Sequence, residues 1–188
     1  MKYGIKALSL TALLGAAAFV ASCESAEVKA ERLAAEKAAL AVCPAEQTVA
    51  LDAYTLDLPA LEGSAQKFHT DLAVRDNVVT LPSGLQYSVV QSGNEAAPSP
   101  APENVVKVNY HGVFPNGEVF DSSYERQDAA EFPLNRVIPG WTEGVGLMRP
   151  CDAWTFYIPS DLAYGPRGRP GIPGGASLVF HVQLLEVK

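Results

Sequence analysis

Aromatic side chains stand beside turns and strand ends throughout the second half of the chain. Tyr110 precedes His-Gly, Phe120 precedes Asp121-Ser-Ser, and Phe132 precedes a proline. Tyr164 lies in a run rich in glycine and proline, DLAYGPRGRPGIPGG. Apolar rings at such places, with two phenols and one carboxylate among them, favour a concave ligand site. Taken singly, the strand rings are more simply explained by core packing and Asp121 by a turn cap, so the predicted pocket depends on the whole set.

Trp141 lies near the start of a short predicted helix, in the run VIPGWTEGV (137–145). A helix over 140–148 places Trp141, Val145 and Met148 at spacings i, i+4 and i+7, on one face. Such a stripe suits a core, whereas a tryptophan directly after Pro-Gly could also form the floor of a pocket. The spacing alone leaves both interpretations open.

Charge and composition exclude several kinds of chemistry. The chain has 14 Lys and Arg against 21 Asp and Glu, a net charge of −7, whereas phosphate binding needs clustered basic residues. We therefore expect no nucleic-acid partner. The histidines and cysteines show no spacing typical of metal ligands, so we expect no metal and no cofactor. No nucleophile is paired with a general base.

Alternating and β-branched runs predict an antiparallel sheet of about five strands. The predicted strands are residues 84–93, 105–114, 118–123, 153–160 and 177–187. A Pro-Asn-Gly turn joins the second and third as a hairpin, because Asn-Gly tolerates positive φ. With the single short helix packed against it, the sheet defines an α+β fold in which the sheet half-wraps the helix. A helical N-terminal segment precedes this fold.

The N-terminal segment is predicted to be largely helical. Residues 24–42 are rich in alanine with interleaved Glu, Lys and Arg, which are strong helix formers, and Pro44 ends the helix. Its apolar stripe is thin, so it is either a solvated spacer or a helix that pairs with a second copy. Residues 61–77 form a second candidate helix, and residues 45–60 show no firm pattern.

The chain begins with a predicted secretory leader. Two lysines precede an uncharged apolar run at residues 7–20, which is too short to span a bilayer comfortably. VASC (20–23) resembles the lipobox of bacterial lipoproteins, in which the cysteine is lipidated and the chain is cut before it; a plain signal peptide with an incidental cysteine is the alternative. Glu24 is not the aspartate that typically retains such lipoproteins at the inner membrane. We therefore expect a periplasmic protein that is lipid-anchored through Cys23 to the outer membrane.

Cys43 and Cys151 are the two remaining cysteines. The oxidising periplasm allows a disulfide between them, which would clip the N-terminal segment to the C-terminal domain and contribute about 2–4 kcal/mol. Two unpaired thiols and an intermolecular bond are the alternatives. The predicted organisation is a signal peptide (1–22), a helical spacer or dimerisation segment (23–80) and a folded domain (81–188).

Five stretches resemble FKBP-type peptidyl-prolyl isomerases in order and spacing: VNYHG, GEVFDSS, VIPGWTEGV, AYGP and SLVFHVQLLEV. The resemblance covers about residues 83–188 and includes several independent motifs. The preceding VVTLPSGLQY, the leader and the N-terminal helices resemble the bacterial subgroup of macrophage-infectivity-potentiator-like and FkpA-like proteins. The helical segment of that subgroup often dimerises, so a homodimer is one expectation, although the segment here is short for the subgroup.

The resemblance implies a role for each matching residue. The tryptophan matching Trp141 forms the pocket floor under the substrate proline ring, and Asp121 lies at the pocket edge beside Arg126. The residues expected in catalysis are Tyr110, Phe120, Asp121, Trp141, Tyr164 and Phe180. Those expected in substrate binding are Arg126, Phe132, Val137, Ile138 and Ile172.

Two of these roles concern hydrogen bonds to ligand carbonyls. The resemblance implies that the Tyr164 hydroxyl and the backbone N–H of Ile138 donate them. The Tyr164 loop is one residue shorter than in the human cytosolic form, and Arg169 stands where a histidine is common. Ile172 is expected at the lip of the pocket.

The implied activity is cis/trans isomerisation of X-Pro bonds in exported, partly folded chains. Rotation about the amide has a barrier of about 18–20 kcal/mol because the C–N bond is partly double. The twisted transition state has lost its conjugation, and a dry apolar pocket suits this less polar amide better than water does. Asp121 is expected to orient groups rather than act as a general base.

The resemblance also implies partners and leaves alternatives. Expected partners are proline-containing unfolded or partly folded polypeptides and the macrolide inhibitors of the family. A holdase chaperone or peptide-binding lipoprotein with little turnover is the main alternative. A purely structural outer-membrane lipoprotein is a further one.

Overall fold

The computed structural model describes residues 25–54 and 64–188. The predicted signal peptide and the lipidated Cys23 lie outside the described residues. A boundary between two compact units falls after residue 37, inside the first helix, α1 (Ala26–Leu40). No helix in the described ranges is long and apolar enough to cross a bilayer.

α1 is the predicted alanine-rich helix. The backbone N–H of Val28 donates to the Ser25 hydroxyl at 3.3 Å, and Glu27 in the first turn and Lys37 in the last turn complement the helix dipole. None of its residues is buried. Its thin apolar stripe is therefore exposed, with Val28 49% and Leu33 66% accessible.

The central element of the described chain is an antiparallel sheet of seven strands. The strands are β1 (Val79–Thr80), β2 (Gln86–Gln91), β3 (Val105–Val113), β4 (Val119–Ser122), β5 (Ala130–Pro133), β6 (Ala153–Ile158) and β7 (Leu178–Val187). Their order is β1-β2-β6-β7-β3-β4, and β5 also pairs with β3. The predicted α+β class is confirmed, but the strand number of about five is too low. β1 has two residues and β5 has four, too few to show an alternating pattern.

One face of the sheet carries the main core. Val106, Val108 and Tyr110 alternate along β3 and are each at most 5% exposed, as strand alternation predicts. On β7 all residues from Leu178 to Leu184 are buried, and Phe180 and Val182 belong to the same core cluster as the β3 residues. Tyr110 and Phe180 therefore share one core with the valines of β3 and β7.

Among the described residues, one helix packs against this core face, α4 (Pro139–Val145). Gly144 allows close approach, because a Cβ there would lie 2.6 Å from the Phe156 ring. The helix ends three residues before the predicted position 148. Met148 is nevertheless buried, in the turn that follows, where its N–H donates to the carbonyl of Val145 at 3.0 Å.

The opposite face of the sheet is covered by α2 (Ala65–Ala73). Phe68 and Leu72 are 2% and 0% exposed and pack against residues of β3, β6 and β7. The helix is shorter than the predicted 61–77 because the Ser64 side chain caps its start. Residues 61–63 of that prediction lie outside the described part.

Residues 43–54, here called the strap, run across the sheet beside β6 and β7. A disulfide joins Cys43 to Cys151, with Cα atoms 4.9 Å apart. Val49 and Tyr54 pack on Ala153 of β6. The compact unit thus extends well to the N-terminal side of residue 81, where the sequence placed the start of the folded domain.

A buried glutamine fixes the strap to the sheet. The side-chain oxygen of Gln183 on β7 accepts the N–H of Val49 at 2.8 Å. Its amide nitrogen donates to the carbonyl of Gln47 at 2.8 Å. Gln91 on β2 also donates to Gln47, at 3.2 Å, and to the carbonyl of Cys151 at 2.9 Å. Segment 45–60, which showed no firm sequence pattern, therefore gains order through tertiary contacts up to residue 54.

The three histidines take structural positions. His69 joins α2 to the sheet, because its ring nitrogens lie 2.7 Å from Gln86 Oε1 and 3.0 Å from Ser177 Oγ. His181 is 1% exposed and lies between the Tyr54 ring, at a centroid distance of 4.8 Å, and the His111 ring, at 6.2 Å.

Acidification is expected to destabilise the fold through His181. Burial, aided by nearby His111, lowers the pKa of His181 to about 4. The unfolded chain takes up this proton near pH 6.5, so stability is full above about pH 6.5 and decreases as the pH falls towards about 4, by about 3 kcal/mol in all. Burial also lowers the pKa values of His69 and His111, which act in the same direction. Urea unfolding between pH 7 and pH 4.5 measures the loss.

The matched control for this prediction is His181→Asn. Asparagine retains a polar group for Thr155, whose hydroxyl lies 2.8 Å from Nδ1 of His181, but it does not titrate. The variant should lose less stability between pH 6.5 and pH 4.5 than the native chain. Identical slopes for the two proteins would contradict the assignment of the effect to His181.

Candidate functional site

A cavity of about 450 Å³ opens between α4, the core face of the sheet and the loop that carries Tyr164. Its lining consists mainly of aromatic and aliphatic side chains with a few polar groups. The lining residues are Tyr110, Phe120, Asp121, Phe132, Arg136, Val137, Ile138, Trp141, Tyr164, Arg169 and Phe180. Volume and lining are typical of a small-molecule or peptide-segment site.

Trp141 is the centre of an aromatic cluster inside this cavity. The rings of Tyr110, Phe132 and Phe180 lie 5.5, 5.8 and 5.2 Å from it, with interplanar angles of 84°, 90° and 82°. Edge-to-face contacts at these distances are favourable. Trp141 is only 4% exposed, yet it lines the cavity, so it belongs to the core and also contacts the ligand space.

A glycine on β3 lets two further rings meet. Gly112 pairs with Phe180 on β7 and with Asp121 on β4. A Cβ at this position would lie 2.7 Å from the Phe120 ring and 2.9 Å from the Phe180 ring. Those two rings pack edge to face at 5.3 Å. Because Gly112 has no side chain, the Phe120 and Phe180 rings can both occupy this side of the cavity.

Replacing Gly112 by alanine is expected to displace the Phe120 and Phe180 rings. Overpacking of this kind costs about 1–3 kcal/mol of stability, and misplaced pocket groups lower activity by about 10-fold or more. Thermal unfolding measures the first effect, and turnover of an X-Pro peptide, the substrate that the resemblance implies, measures the second. The double variant Gly112→Ala/Phe120→Leu should regain stability because the side chain at 120 is shorter. If Gly112→Ala is as stable and active as the native chain, the close approach is not required.

A polar cluster borders the aromatic wall. The Tyr110 hydroxyl donates to Asp121 Oδ2 at 2.6 Å, and Arg126 pairs with Asp121 Oδ1 at 2.5 Å. Arg126 also donates to the Tyr110 hydroxyl at 2.8 Å, and its guanidinium lies over the Tyr110 ring, 5.5 Å from the centroid. Each side chain in this triad therefore contacts the other two.

Local structure explains how Arg126 reaches Asp121. The strand β4 ends at Ser122, whose side chain caps the one-turn helix α3 (Ser123–Arg126) by accepting the N–H of Glu125. Gln127 then ends the helix with a φ of 55°. The turn directs the chain back so that Arg126 faces the carboxylate five positions earlier.

The triad keeps Asp121 ionised. Burial raises the pKa of the carboxyl group, but hydrogen bonds from Tyr110 and Arg126 outweigh it and hold the pKa below its ordinary value. Burial and the bond to Asp121 raise the pKa of Tyr110. A carboxylate that already accepts two strong bonds is a poor proton acceptor, so Asp121 orients its neighbours and sets local charge.

Most predicted pocket residues line the cavity, but two do not. Arg126 contacts the pocket residues Tyr110 and Asp121 without lining the cavity itself. Ile172 is 4% exposed and packs in the main core. A tight turn, in which Arg169 and Ile172 exchange two backbone hydrogen bonds of 2.9 Å, folds it inward rather than to the predicted lip.

Two lining residues have no predicted role, Arg136 and Arg169. Arg136 directly precedes the VIPGW stretch (137–141). This position next to predicted pocket residues is the one sequence feature that could have indicated its place in the lining. The Arg169 guanidinium lies 4.6 Å from the centroid of the Tyr164 ring, a contact that the spacing i, i+5 in a loop does not reveal. Within residues 25–54 and 64–188, no cluster of three His, Cys, Asp or Glu could hold a metal ion.

In the part of the chain that the structure describes, an antiparallel sheet packs across one short helix with an aromatic cavity between them, an arrangement suited to an apolar ring with polar groups at its edge. Comparison with known families is specific: residues 97–185 match the FKBP-type peptidyl-prolyl cis-trans isomerase family. The chain belongs to that family, which confirms the resemblance of its five motifs.

Individual relatives agree with this assignment. The FKBP-type isomerase FkpA of Aeromonas hydrophila is 47% identical over 116 residues, covering 62% of this chain and 42% of the relative. The outer membrane protein MIP of Legionella longbeachae is 41% identical, covering 61% and 48%. A crystal structure of a peptidyl-prolyl isomerase from Pseudomonas syringae superposes with a TM-score of 0.61 at 31% identity, covering 65% of this chain and 90% of that one. The chain spans about half the length of the curated relatives it matches.

Proposed function

We propose that this chain is a peptidyl-prolyl cis-trans isomerase that assists the folding of exported proteins. The observation that carries the proposal is the cavity with Trp141 at its base and three rings edge-on around it. A pyrrolidine ring is compact and apolar and matches such a floor. Membership in an isomerase family supports the same conclusion.

Catalysis would come from preferential binding of the twisted amide. In either planar form the amide is polarised by conjugation, and rotation through about 18–20 kcal/mol removes that polarisation. Aromatic walls solvate the twisted, less polar amide better than water does. Because they favour it over both planar forms, they lower the barrier without any covalent step.

Two donors would hold the flanking carbonyls while the bond rotates. Within the described residues, neither the Tyr164 hydroxyl nor the backbone N–H of Ile138 has a protein hydrogen-bond partner. Both residues line the cavity, so both donors are available for a ligand. Fixing the chain on either side of the proline confines the motion to the X-Pro bond.

The Tyr110–Asp121–Arg126 triad would support the wall rather than transfer a proton. Asp121 holds the Tyr110 hydroxyl at 2.6 Å, which fixes the tilt of the Tyr110 ring against Trp141. Because Asp121 stays ionised well below neutral pH, turnover should be flat with pH over the range in which the fold is stable.

The direct test is turnover of a Leu-Pro or Phe-Pro peptide, followed by exchange spectroscopy so that no coupling protease is needed. Catalysis that a pocket-filling macrolide abolishes would support the proposal. Background turnover accompanied by suppression of client aggregation would overturn it in favour of a holdase that uses the same cavity.

We further propose that the protein is secreted and lipid-anchored at Cys23 in the periplasm, with the outer membrane as its site. The lipobox-like VASC sequence supports this, and so does a cysteine pair suited to an oxidising compartment. The name of the Legionella longbeachae relative, an outer membrane protein, agrees with it. Incorporation of labelled palmitate that is lost in Cys23→Ala is the test, and labelling that persists in the variant would contradict it.

We propose that α1 pairs two chains into a homodimer. Its apolar side chains Val28 and Leu33 are exposed, and no residue of the helix is buried. Light scattering of the mature chain and of Leu33→Glu compares their masses. A monomeric mass for both would leave α1 as a spacer.

A further inference from the structure

Two basic side chains stand at the rim of the aromatic cavity. Arg136 ends the short 3₁₀ turn Leu134–Arg136, directly before Val137, and Arg169 lies in the Tyr164 loop. Both are exposed and both line the cavity. They approach it from two different segments, so a ligand in the cavity would lie near both guanidinium groups.

The charge of these two arginines is not neutralised by the protein. Within the part of the chain that the structure describes, no carboxylate lies in ion-pair distance of Arg136 or Arg169. Asp121 is the one acidic residue among the described residues that line the cavity, and its carboxylate is already paired with Arg126 at 2.5 Å. The cavity mouth is therefore positive, although the chain as a whole carries −7.

Arg169 is held in position before any ligand arrives. Its guanidinium lies over the Tyr164 ring, 4.6 Å from the centroid, which is a cation–π contact. Such stacking leaves the edge N–H groups of the guanidinium free to donate to a carboxylate. Less side-chain entropy is then lost when an acidic group binds.

We propose that the cavity selects proline segments in which an acidic side chain flanks the proline, with Arg136 and Arg169 as the residues that determine this specificity. The proposal rests on the proposed isomerase function and names the substrate class of the same site. A negatively charged surface repels acidic polypeptides at long range. Two arginines without a carboxylate partner at the cavity mouth would instead attract an acidic side chain at the place where the proline enters.

The expected size of the preference is moderate because the rim is solvated. A carboxylate within about 4–6 Å of an exposed guanidinium gains roughly 3- to 10-fold in binding at low ionic strength. The gain should decrease with added salt, since the Debye length is about 10 Å at 0.1 M. An aromatic or aliphatic residue beside the proline would bind through the walls instead and show no salt dependence.

Matched peptide pairs isolate the charge. Glu-Pro and Gln-Pro peptides of otherwise identical sequence differ only in the carboxylate, and a second pair carries Glu or Gln directly after the proline. The ratio of kcat/KM for Glu over Gln is expected to be about 3 to 10 in at least one pair at 20 mM salt and to approach 1 at 0.5 M. Each uncatalysed rate is subtracted separately.

Charge-removing variants locate the effect. Arg136→Gln and Arg169→Gln should each reduce the Glu/Gln ratio, and the double variant should bring it close to 1. Arg167→Gln is the matched control, because Arg167 lies in the same loop and is exposed but does not line the cavity. It should keep the native ratio.

The outcomes separate this inference from the function on which it rests. Turnover of both peptides with a ratio near 1, or with Gln favoured, overturns the acidic preference and leaves the isomerase intact. No turnover of any peptide overturns the isomerase itself. If the Glu/Gln ratio of kcat/KM falls as much in Arg167→Gln as in the two rim variants, the preference comes from general surface charge. The assignment to Arg136 and Arg169 is then overturned.

Discussion

Replacing Trp141 by alanine is expected to lower kcat/KM for an X-Pro peptide by about 30- to 700-fold, which corresponds to roughly 2–4 kcal/mol for a central tryptophan in a binding site. The indole contacts three wall rings at 5.2–5.8 Å, so its removal takes away the floor and loosens the walls. The same change also removes a buried core residue and costs about 3–5 kcal/mol of stability. Activity is therefore measured at a temperature where the variant is folded.

The second tryptophan provides the matched control. Trp154 is 8% exposed and stacks on Tyr87 with centroids 4.5 Å apart, but it does not line the cavity. Trp154→Ala should lose comparable stability while its kcat/KM stays within about 3-fold of the native value once folded. If both variants lose activity in proportion to stability, Trp141 contributes only to core packing. The proposed mechanism, in which its indole contacts the substrate, is then wrong.

Fluorescence offers an independent readout, because the chain has only two tryptophans. In Trp154→Phe the remaining indole is Trp141, which lines the cavity, so a bound macrolide or X-Pro peptide should change its emission. In Trp141→Phe the remaining indole lies outside the cavity and should not respond. These two conservative variants separate contact with ligand from effects on folding.

The long strands could be predicted from the sequence because they are rich in β-branched and aromatic residues, and β3 also alternates in burial over its first six residues. Along β3, Val106, Val108 and Tyr110 lie in the main core, together with Phe180 and Val182 of β7, although β7 itself is buried on both faces from Leu178 to Leu184. The pairing partner β5 could not be predicted in this way. Its four residues alternate only as half-buried and exposed, and it is held by pairing with β3 rather than by any local pattern.

The pocket residues were predicted from the resemblance of five motifs to a known family, and the structure shows a local requirement in two of these motifs. Gly112 must be small because two rings approach its Cα, and Trp141 follows a proline that starts α4. No local sequence feature predicts the position of Ile172. Its side chain faces the core because Arg169 and Ile172 form a tight turn with two backbone hydrogen bonds. Loop geometry of this kind depends on contacts that no spacing in the sequence records.

The strap could not be predicted for a different reason. Its order comes from partners far away in the chain, above all Gln183, which lies 134 positions after Val49. No helical or strand period appears within residues 43–54. What the sequence did supply was two cysteines whose pairing would hold such a segment, with the alternatives left open.

Removing the cross-link between Cys43 and Cys151 is expected to lower the free energy of unfolding by about 2–5 kcal/mol, because the bond closes a long loop and restricts the unfolded chain. The two residues are 108 positions apart. For a chain of this size, the loss corresponds to a decrease in Tm of about 5–15 °C. The measurement is thermal unfolding of the native protein with and without reductant. The double variant Cys43→Ala/Cys151→Ala should have the Tm of the reduced native protein, and reductant should not change it.

A second double variant separates the cross-link from backbone strain at Cys151. Cys151 has a φ of 73°, in the left-handed region that favours glycine. The double variant Cys43→Ala/Cys151→Gly should therefore recover about 1 kcal/mol of stability relative to the alanine pair.

Because the strap contacts the sheet through Gln183 and does not contact the cavity, both double variants should retain turnover below their Tm. An unchanged Tm on reduction would mean that the hydrogen bonds of Gln183 and the packing of Tyr54 hold the strap without the disulfide.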